Sequence, residues 1–133
     1  AITEATLAAW VAEGVVEYLG ETDDVRAAIA AQDCIVLPSY REGLSRVLLE
    51  AAAMGKPLIA TDVAGCRQVV TTGENGFLCA PHNAQSLADA MLQFIALAPE
   101  ARAAMGNASR QKAEREFDEK HVFAAYIEAL TAI

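Results

Sequence analysis

The 133-residue sequence predicts an α/β domain: a parallel sheet of about four strands flanked by helices, followed by a helical C-terminal tail. Two observations carry this. Four short apolar, β-branched runs recur with little alternation, as expected of strands covered on both faces. Segments of helical period lie between them, so strand, helix and strand repeat at the spacing of right-handed βαβ units. The hydrophobic fraction of 54% is largely alanine and aromatic content is only 6%, a composition that suits closely packed helices laid on a sheet.

Taken in order, a helical pattern opens the chain at Thr3–Glu13, before the run "VVEYLG" (15–20). "TDDVRAAIAAQ" (22–32) reads as a helix that Thr22, Asp23 or Asp24 can cap. The second run, "CIVLPS" (34–39), leads into "GLSRVLLEAAAMG", whose Leu44, Val47, Leu48, Ala51 and Ala52 share one stripe and which stops at Gly55-Lys56-Pro57. After "PLIATD" (57–62) a short helix is expected over roughly Cys66 to Val70, and "GFLCA" (76–80) is the last strand. Asn83 caps a helix to about Ala98, Pro99 starts another toward Phe117, and a final one covers about 119–133. One domain over 1–133 is expected, with the tail at about 99–133.

The net charge of −8 disfavours nucleic acid and anionic membrane surfaces. Cys34, Cys66 and Cys79 are odd in number and far apart, which argues against disulfides and zinc and for packing roles in a reducing, cytoplasmic setting. No apolar run of the sequence reaches membrane-spanning length, and no signal peptide is expected.

In open parallel sheets ligands bind beyond the carboxyl ends of the strands. The loops taken to lie there are 39–45, 61–66 and 71–76. In the first, Gly43 lets the backbone turn, and the amides of Leu44, Ser45 and Arg46 face out of a helix start suited to a phosphate or sugar oxygen. Glu42 precedes that helix. Glu50 lies nearly two turns in, on the side away from the apolar stripe, and is not an obvious core residue. Two bland readings stand beside a ligand role: Arg46 and Glu50 as a surface i,i+4 ion pair worth ~0.3–0.5 kcal/mol, and Glu42 as a complement to the helix dipole.

"PSYREG", "LLEAAAMGKP", "ATDVAG" and "GENGFL" stand in order on successive strands and loops, with Glu42 and Glu50 in Glu-x7-Glu spacing. Together they resemble the C-terminal, donor-binding domain of family-four GT-B glycosyltransferases, over nearly the whole chain. The resemblance implies a Rossmann-like sheet, retention of anomeric configuration and no cofactor or metal. By it, Glu50 accepts hydrogen bonds from both ribose hydroxyls of a nucleotide-sugar donor, most readily a UDP-sugar. Glu42 faces the donor sugar as the catalytic residue, and Gly43, Leu44, Ser45 and Arg46 complete the donor site. "YREG" and "GCR" resemble enzymes that extend lipid-linked glycans for capsule, O-antigen or glycoprotein assembly. Gln68 stands where the family commonly has glutamate and Ser45 where those relatives commonly have proline, so Gln68 receives no catalytic task and the donor sugar is left open. His82, after Pro81, reads as a loop residue.

The resemblance also implies that the N-terminal acceptor domain, two strands and a basic pair that neutralises the donor diphosphate lie outside this chain. The expectations that follow are a fragment inactive by itself, a saccharide or lipid-linked acceptor held by the absent half, and a parent enzyme in the cytoplasm, free or peripheral to the inner face of the membrane. The bare edge of strand 34–38 would be covered by strand 15–19 or by a second chain. The rival readings are a GT-B nucleotide-sugar 2-epimerase and a non-catalytic binding or assembly module.

Overall fold

In the computed structural model, residues 3–17, 25–38 and 45–116 are described. The elements are α1 (Glu4–Ala12), α2 (Arg26–Ala30), β1 (Ile35–Leu37), α3 (Arg46–Ala53), β2 (Leu58–Thr61), α4 (Ala64–Arg67), β3 (Gly76–Cys79), α5 (Ala84–Ile95) and α6 (Pro99–Glu116). The strands form a parallel sheet in the order β1-β2-β3. β2 is central and buried at every residue, which explains why its sequence is apolar without alternation.

Successive residues of β2 point to opposite faces, and they sort the core. Leu58 and Ala60 join Leu48, Leu49, Ala51, Ala52, Cys66, Val69 and Val70, so α3, α4 and α6 cover one face. Ile59 joins Cys79, Ala90, Phe94 and Met105, so α5, with Met105 from the first half of α6, covers the other. The register pairs Ile59 with Phe77 and Thr61 with Cys79, which places Thr61 on the α5 face at the carboxyl end.

α3 ends as its sequence promises. Gly55 takes φ +75°, its N–H reaches the carbonyl of Ala52, and Lys56 N–H reaches that of Ala51, a Schellman closure. α6 crosses close behind it, because a side chain at Gly106 would bring its Cβ to 2.4 Å from the Gly55 carbonyl oxygen. α5 is capped by Asn83, whose side chain accepts from Ser86 N–H at 2.9 Å. Thr3 caps α1 in the same way at 3.1 Å.

Three expectations change. The run at 15–20 forms no strand over Val15–Glu17; Gly14 turns the end of α1 at φ +74° and Val15 is left 65% exposed, away from any neighbouring strand. Its remaining residues lie outside those described; among the described residues three strands stand where about four were expected, and Val15–Glu17 do not pair with β1. α4 begins two residues earlier than expected, since Val69 and Val70 turn inward as core residues behind it. α2 is shorter than 22–32, with Val25 at its N-cap and Thr22, Asp23 and Asp24 outside the described residues. The helix expected over 119–133 also lies outside them.

Candidate functional site

The site is built on the start of α3, beyond the carboxyl end of β1. Ser45 is the N-cap, in extended conformation and 3% exposed, and its Oγ accepts from Leu48 N–H at 3.3 Å. With its side chain spent on the cap, Ser45 leaves the amides of Arg46 and Val47 facing out of the helix start, where the dipole favours an anionic or oxygen-rich ligand. Arg46 is exposed at that start. Glu50 stands one turn further in on the same helix.

Glu50 is only 7% exposed, contrary to its placement on the open side of α3. α3 is clasped between the sheet and α6, so Leu48 to Ala52 are all buried and no solvent side remains at that level. That removes the reading of Arg46 and Glu50 as a plain surface pair. Burying a carboxylate costs several kcal/mol unless it is bound by charge or donors, so packing alone is a poor reason for glutamate here. Glu42, Gly43 and Leu44 lie outside the described residues, so α3 brings together Ser45, Arg46 and Glu50 of the predicted set.

The second predicted loop is where it was expected. Asp62 follows β2, its N–H bonding to the Cys79 carbonyl at 2.7 Å, and its carboxylate pairs with Arg67 Nε at 2.7 Å on the exposed surface. Gly65 is buried in α4, and Gln68 is exposed at the end of that helix.

The third is not. Because β3 runs parallel to β2, the segment 71–75 enters β3 at its amino end, and the loop at the carboxyl end is 80–83. "GENGFL" is therefore a structural motif. Asn75 is fully buried; its side chain accepts from Thr71 N–H at 2.7 Å and donates to the Val69 carbonyl at 2.8 Å. A Cβ on Gly76 would stand 1.7 Å from the Leu58 carbonyl oxygen. From α6, Ser109 donates to the Asn75 carbonyl and Lys112 to Thr71 Oγ1, which locks the loop to the scaffold.

The loop that replaces it borders a cavity of about 430 Å³. Pro38 after β1, Thr61 ending β2 and Cys79 ending β3 form one side; His82, Ala84 and Leu87 at the start of α5 form the other. His82 adopts a left-handed φ of +53°. The sequence reading missed this group because Thr61 looked like an ordinary strand residue and His82 like a loop residue. The parallel register, which aligns Thr61 with Cys79, is the signal that unites them.

The cysteines are free, with Cys66 and Cys79 buried in the core. Burial, and secondarily the charge of Asp33, push the Cys34 thiol up to about 11. Among the described residues no three His, Cys, Asp or Glu side chains gather to hold a metal, and no helix is long and apolar enough to cross a membrane.

Residues 2–96 match the family described as glycosyl transferases group 1. The chain belongs to that family. It is 32% identical to N-acetyl-alpha-D-glucosaminyl L-malate synthase of Bacillus anthracis, over 86% of this chain and 30% of that one. It superposes on Anabaena HepE in complex with UDP with a TM-score of 0.78 and 28% identity, over 97% of this chain and 35% of that one. It shares the fold of the C-terminal domain of the group 1 glycosyl transferase LpcC from Francisella tularensis, with a TM-score of 0.71 and 20% identity, over 87% of this chain and 62% of that one. The Rossmann-like sheet is thus part of a GT-B C-terminal domain. The chain spans about a third of the length of the first two of these relatives.

Proposed function

We propose that these 133 residues are a single donor-binding unit of a retaining glycosyltransferase, which moves a sugar from a UDP-sugar to a growing glycan. The observation that carries this is the burial of Glu50 inside a helix whose amide end opens at the carboxyl edge of the sheet, in a chain of this family. A carboxylate held there offers two acceptor oxygens to the vicinal hydroxyls of a ribose. The outward amides at the start of α3, with Arg46 beside them, receive the diphosphate. Charge grows on that diphosphate as the glycosidic bond breaks, so fixed dipoles favour the transition state over the ground state. Glu42 orients the donor sugar, and Gly43, Leu44 and Ser45 add backbone contacts. No metal is required in this scheme, since the counter-charge comes from amides and arginine.

The "YREG" and "GCR" stretches support a lipid-linked or other saccharide acceptor of capsule or lipopolysaccharide type, bound mainly by a second domain, in a parent enzyme that works in the cytoplasm. The chain by itself is expected to bind donor without turning it over. Among the described residues no strand pairs with the outer edge of β1, which supports pairing of two chains, and a clean monomer by light scattering at high concentration would end that idea.

Calorimetric titration with UDP and UDP-N-acetylglucosamine tests the donor reading. Glu50→Gln removes a charged acceptor, a loss of about 1.5–3 kcal/mol or roughly 10- to 150-fold in Kd. Equal affinity in the two proteins would refute the assigned role and favour a plain scaffold.

A further inference from the structure

Helices α2, α3 and α5 have no basic residue in their own last turn, and each is met there by a cation from elsewhere in the chain. Lys56 Nζ donates to the Ala30 carbonyl at the end of α2, at 3.1 Å. Arg102, lying over the Phe94 ring, donates to the carbonyls of Ile95 at 2.6 Å and Leu97 at 3.1 Å, at the end of α5. For α3 the cation is Arg110 of α6. Its Nη1 donates to the Ala53 carbonyl while its Nε holds the Glu114 carboxylate at 2.7 Å. A guanidinium placed so satisfies an orphan carbonyl and complements the negative end of the helix dipole.

α3 differs from the other two in what its opposite end carries. It is eight residues long, so Ala53 lies only roughly 10 Å along the axis from the Arg46 amide. Gly55 and Lys56 close the Ala52 and Ala51 carbonyls, Met54 closes that of Glu50, and Arg110 takes the one that remains. One turn before Arg110, Gly106 sets the α6 backbone against the same turn, where a Cβ would stand 2.4 Å from the Gly55 carbonyl oxygen. The apolar contacts of α3 with the sheet are non-directional; a hydrogen bond to its last carbonyl and a backbone stop behind its turn are directional and fix its place along the axis. A closely packed helix passes such a constraint to its other end. α6 lies beyond residues 2–96, the part that matches the family.

We propose that Arg110 is a positioning residue for the donor. It holds α3 from behind and so aims the amides of Arg46 and Val47 and the carboxylate of Glu50, without touching the ligand itself. The ligand's identity rests on the donor reading of α3; the placement of α3 by Arg110 is read separately, in the free protein.

The test compares the full chain with Arg110→Ala, Arg110→Lys and Ser109→Ala. The Arg110 side chain is half exposed, so its removal leaves the fold in place. Ser109 lies on the same helix but donates to the Asn75 carbonyl, away from α3, and serves as the matched control. Amide spectra of free Arg110→Ala should show displaced signals at Arg46 and Val47, and those of Ser109→Ala should not. UDP, titrated calorimetrically where each variant is fully folded, should bind Arg110→Ala about three- to tenfold more weakly. Arg110→Lys should recover most of that loss, because an ammonium can donate to the same carbonyl. Ser109→Ala should bind UDP within about twofold of the wild type although its urea midpoint falls. Unmoved amides at Arg46 and Val47 in Arg110→Ala, or UDP affinity in that variant within about twofold of the wild type, overturn the proposal. An equal loss of affinity in Ser109→Ala also overturns it, since lowered stability would then explain both. If the wild-type chain binds no UDP while Arg110→Ala still displaces those amides, the donor reading falls and the placement of α3 by Arg110 stands.

Discussion

The two ends of the sheet carry motifs of similar appearance and opposite use. At the amino end, "GENGFL" combines a buried polar residue with a glycine, and every polar group of Asn75 points into the scaffold. At the carboxyl end, "EGLSRVLLE" ends on a buried carboxylate, and its helix start directs amides away from the scaffold. In the proposed reading, a glycine beside a polar residue belongs to a site only where strand direction places it at the carboxyl ends of the strands. The two ends should therefore answer mutation differently: one should lose stability, the other affinity.

The largest effect expected is at the amino end. Gly76→Ala drives a Cβ to 1.7 Å from the Leu58 carbonyl oxygen, so β2 and β3 must separate, at a cost of at least about 3 kcal/mol. Its urea midpoint should fall accordingly. Glu50→Gln makes the sharpest contrast: UDP affinity should drop by more than any change in the urea midpoint accounts for, because the variant keeps the shape of the side chain and loses the charged acceptor. Asn75→Ala should cost about 2 kcal/mol by leaving the Thr71 N–H and the Val69 carbonyl without their partner, and its folded fraction should bind UDP as before. Ser45→Ala removes the α3 cap for about 1 kcal/mol of stability. A drop in UDP affinity for Asn75→Ala, or none for Glu50→Gln, would break the division between the two ends.

The smallest effect is a pH trend. Folding holds the Cys34 thiol up to about 11, above its ordinary value of 9.0, so the folded state keeps a proton that the unfolded chain gives up first. The stability from this group is present below pH 9.0 and is lost as pH rises toward 11. Denaturant midpoints across that window should decline in the wild type and decline less in Cys34→Ala. Alkylation of Cys34 in the native protein should be slow near neutral pH for the same reason.

Much of this was legible in the sequence. The cap at Asn83, the stop at Gly55 and the opening of α6 at Pro99 are local, and local chemistry decides them. The three strands were legible because each is short, apolar and bounded by turn residues. What failed depended on distant partners. "VVEYLG" has strand composition, yet its described part, Val15 to Glu17, pairs with no strand among the described residues, and propensity does not supply one. Glu50 fell on the polar side of the α3 stripe, and nothing local announced that α6 would cover that side. α6 mixes charged residues with alanines and shows no apolar stripe, yet it buries a face of Met105, Gly106, Ser109, Lys112 and Ala113 whose small residues permit close approach. The loop at 71–76 was assigned to the wrong end of the sheet although it precedes the strand at 76–80; in a parallel sheet, a loop that enters a strand lies at the amino end, and only loops that leave strands reach the ligand edge.

The most direct test of the donor site is an amide NMR titration with UDP, run in parallel on the wild-type chain and on Glu50→Gln. The expected result is shifts concentrated on Ser45, Arg46 and Leu48 to Glu50, with residues 71–76 silent, and a strongly weakened response in the variant. Shifts centred on residues 71–76, or an identical response from Glu50→Gln, would contradict the assignment of donor binding to the start of α3.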